Sequence, residues 1–418
     1  MTSSDVRMRG FASRTTVECA LAWVDTQSRL LSSEKIPLAA AAGRVLAYDV
    51  VSPCEVPSFA RSMMDGFALR AVDTQGATAY SPLELAIVGE SLPGRAFSGH
   101  VERSQAVRIM TGAPLPAGTD AVLPAERVEA HGARLLVQED VPPQKNIGQA
   151  GEDISHGTTV LFAGRMLRPQ DLGLLSSIGM AEIQVIRRPR VRIVITGNEL
   201  LPAGSTPEVH RIVDANGPMI AALVARDGGV VSWKDNHLQA GDNYLTPDDP
   251  QAILAAMQAD ADIVLVSGGS SVGLEDHAPV LLAERGELAI HGIAMRPSSP
   301  AGMGLLERRL VFLLPGNPVS CLCAYDFFAG RAIRQFGGRR KEWPYRSLRR
   351  NLARKLVSTV GRVDYARVRI VGERVEPLSV SGASVLSSTT RADGFVVVPA
   401  DSEGYPPDAE VEVFLYDL

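Results

Sequence analysis

Three polar, glycine-bearing segments each follow an apolar run: TGNEL (196–200) after RVRIVI, SGGSSVG (267–273) after DIVLV, and PGNPVS (315–320) after LVFLL. A short apolar run ending in such a segment reads as a buried strand entering a loop. In open parallel sheets, ligands bind beyond the carboxyl ends of the strands, where loop N–H groups and helix N-termini receive anions. Glycine lets the backbone approach phosphate oxygens closely, and Ser267, Ser270 and Ser271 add hydroxyl donors. Three such loops in one stretch point to a site for an anionic ligand.

Acids gather around the same loops: Glu199, Asp214, Asp248, Asp249, Glu275 and Asp276. Carboxylates beside phosphates commonly hold Mg²⁺, which neutralises both. The competing role for Asp248 and Asp249 is to cap the helix that DDPQAILAAM begins. Asp249 reads best as that cap, while Glu199, Asp248 and Asp276 stand open between the two roles. No Walker loop, GxGxxG fingerprint or HExxH is present, and the seven histidines show no zinc spacing. Cys321 and Cys323 fall in a helical pattern, where residues two apart face different directions, and read as buried structural thiols.

A second group lies in the N-terminal half. PSFARSMMDGFALR (57–70) sets Ser62 and Asp65 among Met63, Met64 and Phe67; its Asp65-Gly66 pair is either an Asp-Gly turn or part of a site. RIMTGAPLPAGTDAVLPAE (108–126) places Thr111-Gly112 at a strand end, with Asp120 and Glu126 nearby.

The elements that must position these residues follow from periodicity. Residues 15–31 space apolar residues as a helix, and 52–141 carry short β-like runs broken by Gly and Pro. Pro169 to Ile178 predicts a helix with proline in its first turn and Gly179 past its end. From 190 onward strands and helices alternate: strands at 190–196, 230–234, 262–267 and 310–314, helices at 217–229, 248–261, 277–286 and 320–336. Nearly all-apolar strands in such alternation imply a parallel sheet covered on both faces. GGRRKEWPYRSLRR (337–350) reads as a solvated basic connector, and the remainder alternates like a small all-β domain.

Composition sets the frame. The 418 residues allow about three domains. The net charge, 42 − 47 = −5, argues against a nucleic-acid or anionic-lipid surface. Apolar runs fall far short of the ~20 residues needed to span a bilayer, the N-terminus lacks a signal-peptide core, and four cysteines are too few for a disulfide framework. A cytoplasmic, multidomain enzyme is expected.

SMMDGFA, MTGAPLPAGTDAV, GEDI (151–154), ITGNEL, DANG (214–217), SGGSSVG with Asp276, and LPGNPVS together resemble the signature series of the molybdopterin molybdotransferases, the family of MoeA and the gephyrin E domain. They fall in the family's order along nearly the whole chain. The resemblance implies four structural parts: an extended N-terminal domain (1–51 and 142–186), an inserted β-rich domain (52–141), a central α/β molybdopterin-binding domain (187–336) and a C-terminal small β-barrel (344–418). It implies a homodimer with a site shared between subunits. It also implies contacts with molybdopterin adenylyltransferase and molybdoenzymes, and a reaction in which adenylylated molybdopterin is cleaved, molybdate enters the dithiolene and AMP leaves, with Mg²⁺ as cofactor. A scaffolding role lacks the fused domain and long linker that accompany it, and an adenylyltransferase needs only the α/β part.

By the same resemblance the catalytic set is Asp65, Thr111, Glu199, Asp248 and Asp276, with Glu199, Asp248 and Asp276 on the metal. Substrate-binding positions are Ser62, Thr196, Gly197, Asn216, Ser267, Gly268, Gly269, Ser271, Arg296, Pro315, Gly316, Asn317 and Pro318. Two departures stand out. The family usually reads MKPGKP where this chain has MRPSSP (295–300), so Ser299 replaces a lysine; Gly148 stands where an arginine usually follows the Asn-hydrophobic pair. Each lost charge-assisted contact to an anion is worth roughly 1.5–3 kcal/mol, which leaves open a paralogue with weakened or altered chemistry. Arg308 and Arg309 are candidates for a compensating charge.

Overall fold

A computed structural model describes residues 13–232, 244–269, 276–379 and 382–416. The chain divides into two compact units: Lys35–Ala42 with Leu46–Val185, and Met1–Glu34, Gly43–Val45 and Ile186–Leu418.

The 35–185 unit holds a six-stranded curled sheet. Its order is Ala121–Pro124, Gly66–Leu69, Gln105–Ile109, Leu83–Ser91, Arg134–Val137 and Val128–His131. Strand 66–69 is buried throughout and antiparallel to both neighbours. A Cβ on Gly66 would lie 2.1 Å from the Leu123 carbonyl oxygen. Gly66 therefore opens a strand rather than sitting in an Asp-Gly turn, and leaves Asp65 as the last residue outside the sheet. A second core gathers Leu46, Val50, Leu161, Leu175 and Val185. The helix Pro169–Ser177 starts at its proline and stops at Ile178, followed by Gly179 at φ +82°.

The other unit is built on a six-stranded sheet ordered Val230–Val231, Arg190–Ile195, Ile263–Ser267, Arg309–Leu314, Gly302–Leu306 and Glu287–His291. The first four run parallel, as the apolar runs predict. The last two, which the sequence reading did not pick out, extend it antiparallel. Helices Pro250–Met257 and His277–Arg285 pack with the sheet around Val194, Val264, Val311 and Leu313. Helix Asn216–Arg226 packs with strand 190–195 and with the helices that follow residue 317.

The helix predicted at 320–336 is interrupted. Pro318–Ala324 and Gly330–Phe336 are α-helical, and Tyr325–Ala329 between them is a π-turn. The π-turn carries a buried polar cluster. Arg226 Nη2 donates to Asp326 Oδ1 at 3.0 Å and to Asp227 Oδ2 at 2.8 Å, while Arg334 Nη1 donates to Asp227 Oδ1 at 2.8 Å.

The 337–350 stretch keeps five of its six basic residues exposed, as a solvated connector would, but it is also tied down at specific points. Arg339 donates to the carbonyls of Arg226 (2.8 Å) and Gly43 (2.9 Å), and Lys341 pairs with Asp25 at 3.0 Å. Trp343 stands edge-on to Phe327, Phe395 and Phe414. Arg339 and Lys341 find distant backbone carbonyls and a carboxylate, which local sequence does not reveal. Five strands then close a barrel: Val363–Val371, Arg374–Ser379, Ser347–Leu352, Glu410–Leu415 and Gly394–Val398.

Candidate active site

Strands 190–195, 263–267 and 309–314 end together, and their loops enclose a cleft of about 560 Å³. Of the expected residues, Thr196, Gly197, Glu199, Asn216, Asp248, Ser267, Gly268, Gly269, Asp276, Pro315, Gly316, Asn317 and Pro318 line it. Ser271 lies outside the described residues, as do Ser270 and Glu275.

Close backbone approach explains the glycines. Gly268 sits at φ +93°, and a Cβ there would meet the Thr196 carbonyl oxygen at 2.0 Å. Gly197, at φ +149°, leaves room for the Glu199 carboxylate, 2.8 Å from a would-be Cβ. Thr196 N–H donates to the Ser267 carbonyl at 3.0 Å, tying the first two loops together.

Asn216, the first residue of its helix, joins the second and third loops. Its Nδ2 donates to Ser267 Oγ (3.0 Å) and to the Gly316 carbonyl (2.8 Å). Asn216 Oδ1 and Thr196 Oγ1 are buried and, among the described residues, have no hydrogen-bond partner. Buried polar atoms are rarely left so, and two of them lining one cleft mark the place of a polar ligand.

The acids separate by role. Asp249 caps helix 250–257, its carboxylate accepting from Ala252 N–H at 2.9 Å, while Asp248 lines the cleft. Asp276 occupies the N-cap position of helix 277–285 at the cleft edge. Asp214 is buried, accepts from Gly217 N–H at 3.0 Å and also lines the cleft. Burial raises its pKa, against the pull of the Gly217 and Asn216 N–H groups. Among the described residues, no three His, Cys, Asp or Glu side chains form a ready-made metal cluster. Glu199, Asp248 and Asp276 are hard oxygen donors around a shared cleft, a set that suits Mg²⁺ completed by phosphate oxygens rather than a closed protein cage.

In the 35–185 unit, Asp65 and Thr111 meet. Asp65 Oδ1 accepts from Thr111 N–H (2.7 Å) and Thr111 Oγ1 (2.9 Å), which holds the exposed carboxyl below its usual pKa. Ser62 is buried, and its hydroxyl donates to the Met64 carbonyl at 2.6 Å. It shapes the loop that presents Asp65. Gly148 lies directly across a two-stranded ladder from Arg61, whose guanidinium pairs with Glu152 at 2.9 Å. A Cβ at 148 would come within 2.9 Å of that same carboxylate.

Three further placements differ from expectation. Arg296 does not line the cleft; both ends of its guanidinium engage the buried Asp364 of the barrel. Arg308 and Arg309 stand where the third strand begins, and the cleft lies where it ends, about 20 Å away along six residues. Arg309 is bound to the Ala259 carbonyl at 2.9 Å, so neither supplies the missing charge. Sequence reasoning missed Ser384 and Pro300, which line the cleft from the barrel side and from the MRPSSP loop. Pro300 ends the MRPSSP segment, whose place beside the cleft the sequence does not show, and no local motif marks Ser384, which arrives by tertiary contact. Cys321 and Cys323 are fully buried as expected, and burial pushes the Cys321 thiol up to about 12.

Comparisons with known proteins agree with this architecture. Three family models match in succession: the MoeA N-terminal region (domain I and II) over residues 15–179, a probable molybdopterin binding domain over 192–335, and the MoeA C-terminal region (domain IV) over 349–416. The chain is 34% identical to a molybdopterin molybdenumtransferase of Haemophilus influenzae over 379 residues, covering 88% of this chain and 89% of that protein. It is 36% identical to molybdopterin molybdenumtransferase 2 of Mycobacterium tuberculosis over 311 residues, 72% of this chain and 75% of that one. Among solved structures, a molybdopterin biosynthesis MoeA protein from Pyrococcus horikoshii matches with a TM-score of 0.82 at 30% identity, covering 97% of this chain and 100% of its own. The sheet, the three loops and these matches along the chain agree: it belongs to the MoeA family.

Proposed function

We propose that this protein is a molybdopterin molybdotransferase of molybdenum cofactor biosynthesis, which cleaves adenylylated molybdopterin, inserts molybdate at the dithiolene and releases AMP. The observation that carries the reading is the three-loop cleft with the buried, unpartnered Asn216 Oδ1 and Thr196 Oγ1. Loop backbones and the start of helix 216–226 receive the phosphate-bearing end of the substrate. Glu199, Asp248 and Asp276 would hold Mg²⁺ together with substrate oxygens, and the ion would supply charge neutralisation at phosphorus. The attacking group is an oxygen of molybdate, so the chain needs no nucleophile of its own, and a thiol as buried and basic as Cys321 is unsuited to be one.

The working form is a homodimer in which Asp65 and Thr111 come from a second copy. Support comes from the exposed Phe59, Met63, Met64 and Met110 near Asp65, apolar surface that a partner would cover. The setting is the cytoplasm, consistent with four free thiols; no described helix is long and apolar enough to cross a membrane. Purified protein given adenylylated molybdopterin, molybdate and Mg²⁺ should release AMP only when molybdate is present. No molybdate-dependent AMP at millimolar molybdate would overturn the reading.

A further inference from the structure

The MRPSSP loop is held by backbone on both flanks. On one side Thr15 N–H donates to the Gly292 carbonyl at 3.0 Å, and Ala294 N–H donates to the Thr15 carbonyl at 2.8 Å. On the other, Val363 N–H donates to the Ala294 carbonyl at 2.9 Å, and Met295 and Arg296 pair in parallel with Val363 and Asp364. These ladders bring Arg14, Ser299, Thr359 and Arg362 around a single cavity of about 360 Å³. Arg14 Nε donates to Ser299 Oγ at 2.8 Å.

The charge balance of this chamber is positive. Among the described residues, no carboxylate lines it. Asp364 behind it is engaged by Arg296, accepts from Ser358 Oγ at 2.7 Å, and stands 3.9 Å from Arg362 Nε. One carboxylate thus answers two guanidinium groups; among the described residues Arg14 has none, and Arg362 Nε is buried without a hydrogen-bond partner. Guanidinium groups with hydroxyls between them suit a small tetrahedral oxyanion. Ser299 in the chamber and Pro300 in the cleft wall are consecutive, so the two spaces adjoin.

We propose that Arg14, carried by the N-terminal segment, is a binding residue for the oxyanion substrate and supplies beside Ser299 the charge that Ser299 itself lacks. The identity of that oxyanion as molybdate rests on the function proposed above.

The test titrates the full-length protein, without the pterin, with molybdate by calorimetry. Arg14→Gln keeps a donor for Ser299 and removes the charge. Its dissociation constant should rise about tenfold or more, the effect of losing one charge-assisted contact. Arg14→Gln combined with Ser299→Lys, which returns a cation to the same place, should recover most of the affinity; a residue that only propped the loop would show no such rescue. In the unaltered protein, molybdate should also protect Arg14 from phenylglyoxal, a readout that needs no variant. Wild-type protein that binds no molybdate, an unchanged constant in folded Arg14→Gln, or equal labelling of Arg14 with and without molybdate would each overturn the proposal. Loss of binding in Arg14→Gln in a protein that releases no AMP would uphold Arg14 and reject the reaction instead.

Discussion

Asp65 and Glu199 are the side chains on which turnover should depend most sharply. Asp65 stays ionised across the neutral range because Thr111 donates to it twice. Asp65→Ala and Glu199→Ala should each lower molybdate-dependent AMP release by at least about 100-fold, on the scale of removing one positioned electrostatic group, while melting temperature stays near that of the wild type. Asp214 behaves in the opposite sense. Its folded pKa is raised by burial above the ordinary 3.8, so ionisation works against the fold. Below pH 3.8 both states are protonated and Asp214→Asn should melt with the wild type; as pH rises through the raised value the variant should become the more stable, and then hold a constant margin. Thermal melts across pH 3 to 8 would show this. At this scale the sequence exposed the cleft well, because a strand entering a glycine loop is a local signal. It hid Arg14, Ser384 and the Arg296–Asp364 pair, because their partners lie far along the chain.

Among elements, the strand 66–69 and the early helix make the clearest cases. Gly66→Ala drives a Cβ into the Leu123 carbonyl oxygen at 2.1 Å, a backbone atom that cannot swing aside. Denaturant unfolding should show a loss of about 1–3 kcal/mol or more, as for other overpacked positions. The helix Val17–Gln27 is tied through Asp25, which accepts from Arg331 Nε (2.6 Å), Lys341 Nζ (3.0 Å) and Gln335 Nε2 (2.9 Å). Arg331 above all holds the Asp25 carboxyl far below its usual range, with burial opposing. Stability from this clamp is present above the ordinary carboxylate pKa of 3.8 and fades as pH falls below it. The melting difference between wild type and Asp25→Asn should therefore be full at pH 6 and shrink below pH 4. Periodicity located most helices within a few residues of where they form. It did not reveal the π-turn at 325–329, since its five buried residues keep a helical texture and only the cluster around Asp326 distinguishes it.

For the molecule as a whole, the stretch after Gly337 does more than join two domains. Tyr345 donates to Asp326 Oδ2 at 2.9 Å, and Trp343 Nε1 donates to the Asp326 carbonyl at 2.9 Å, linking the π-turn to the aromatic cluster of the barrel. Burial raises the Asp326 pKa, with Arg226 pulling the other way. Tyr345→Phe removes one of its donors and should cost about 1–3 kcal/mol by urea unfolding. A basic, turn-rich run looks like linker because charge usually seeks water; here Arg339 and Lys341 reach specific carbonyls and a carboxylate. The bracing of the MRPSSP loop, by Thr15 on one side and by strand 363–371 on the other, bears on synthesis. The chain makes the loop after one brace and before the other, so a ribosome-bound protein that has finished its sheet still has an oxyanion chamber missing a wall. The chamber is complete only once the barrel strand 363–371 has emerged and folded against the loop.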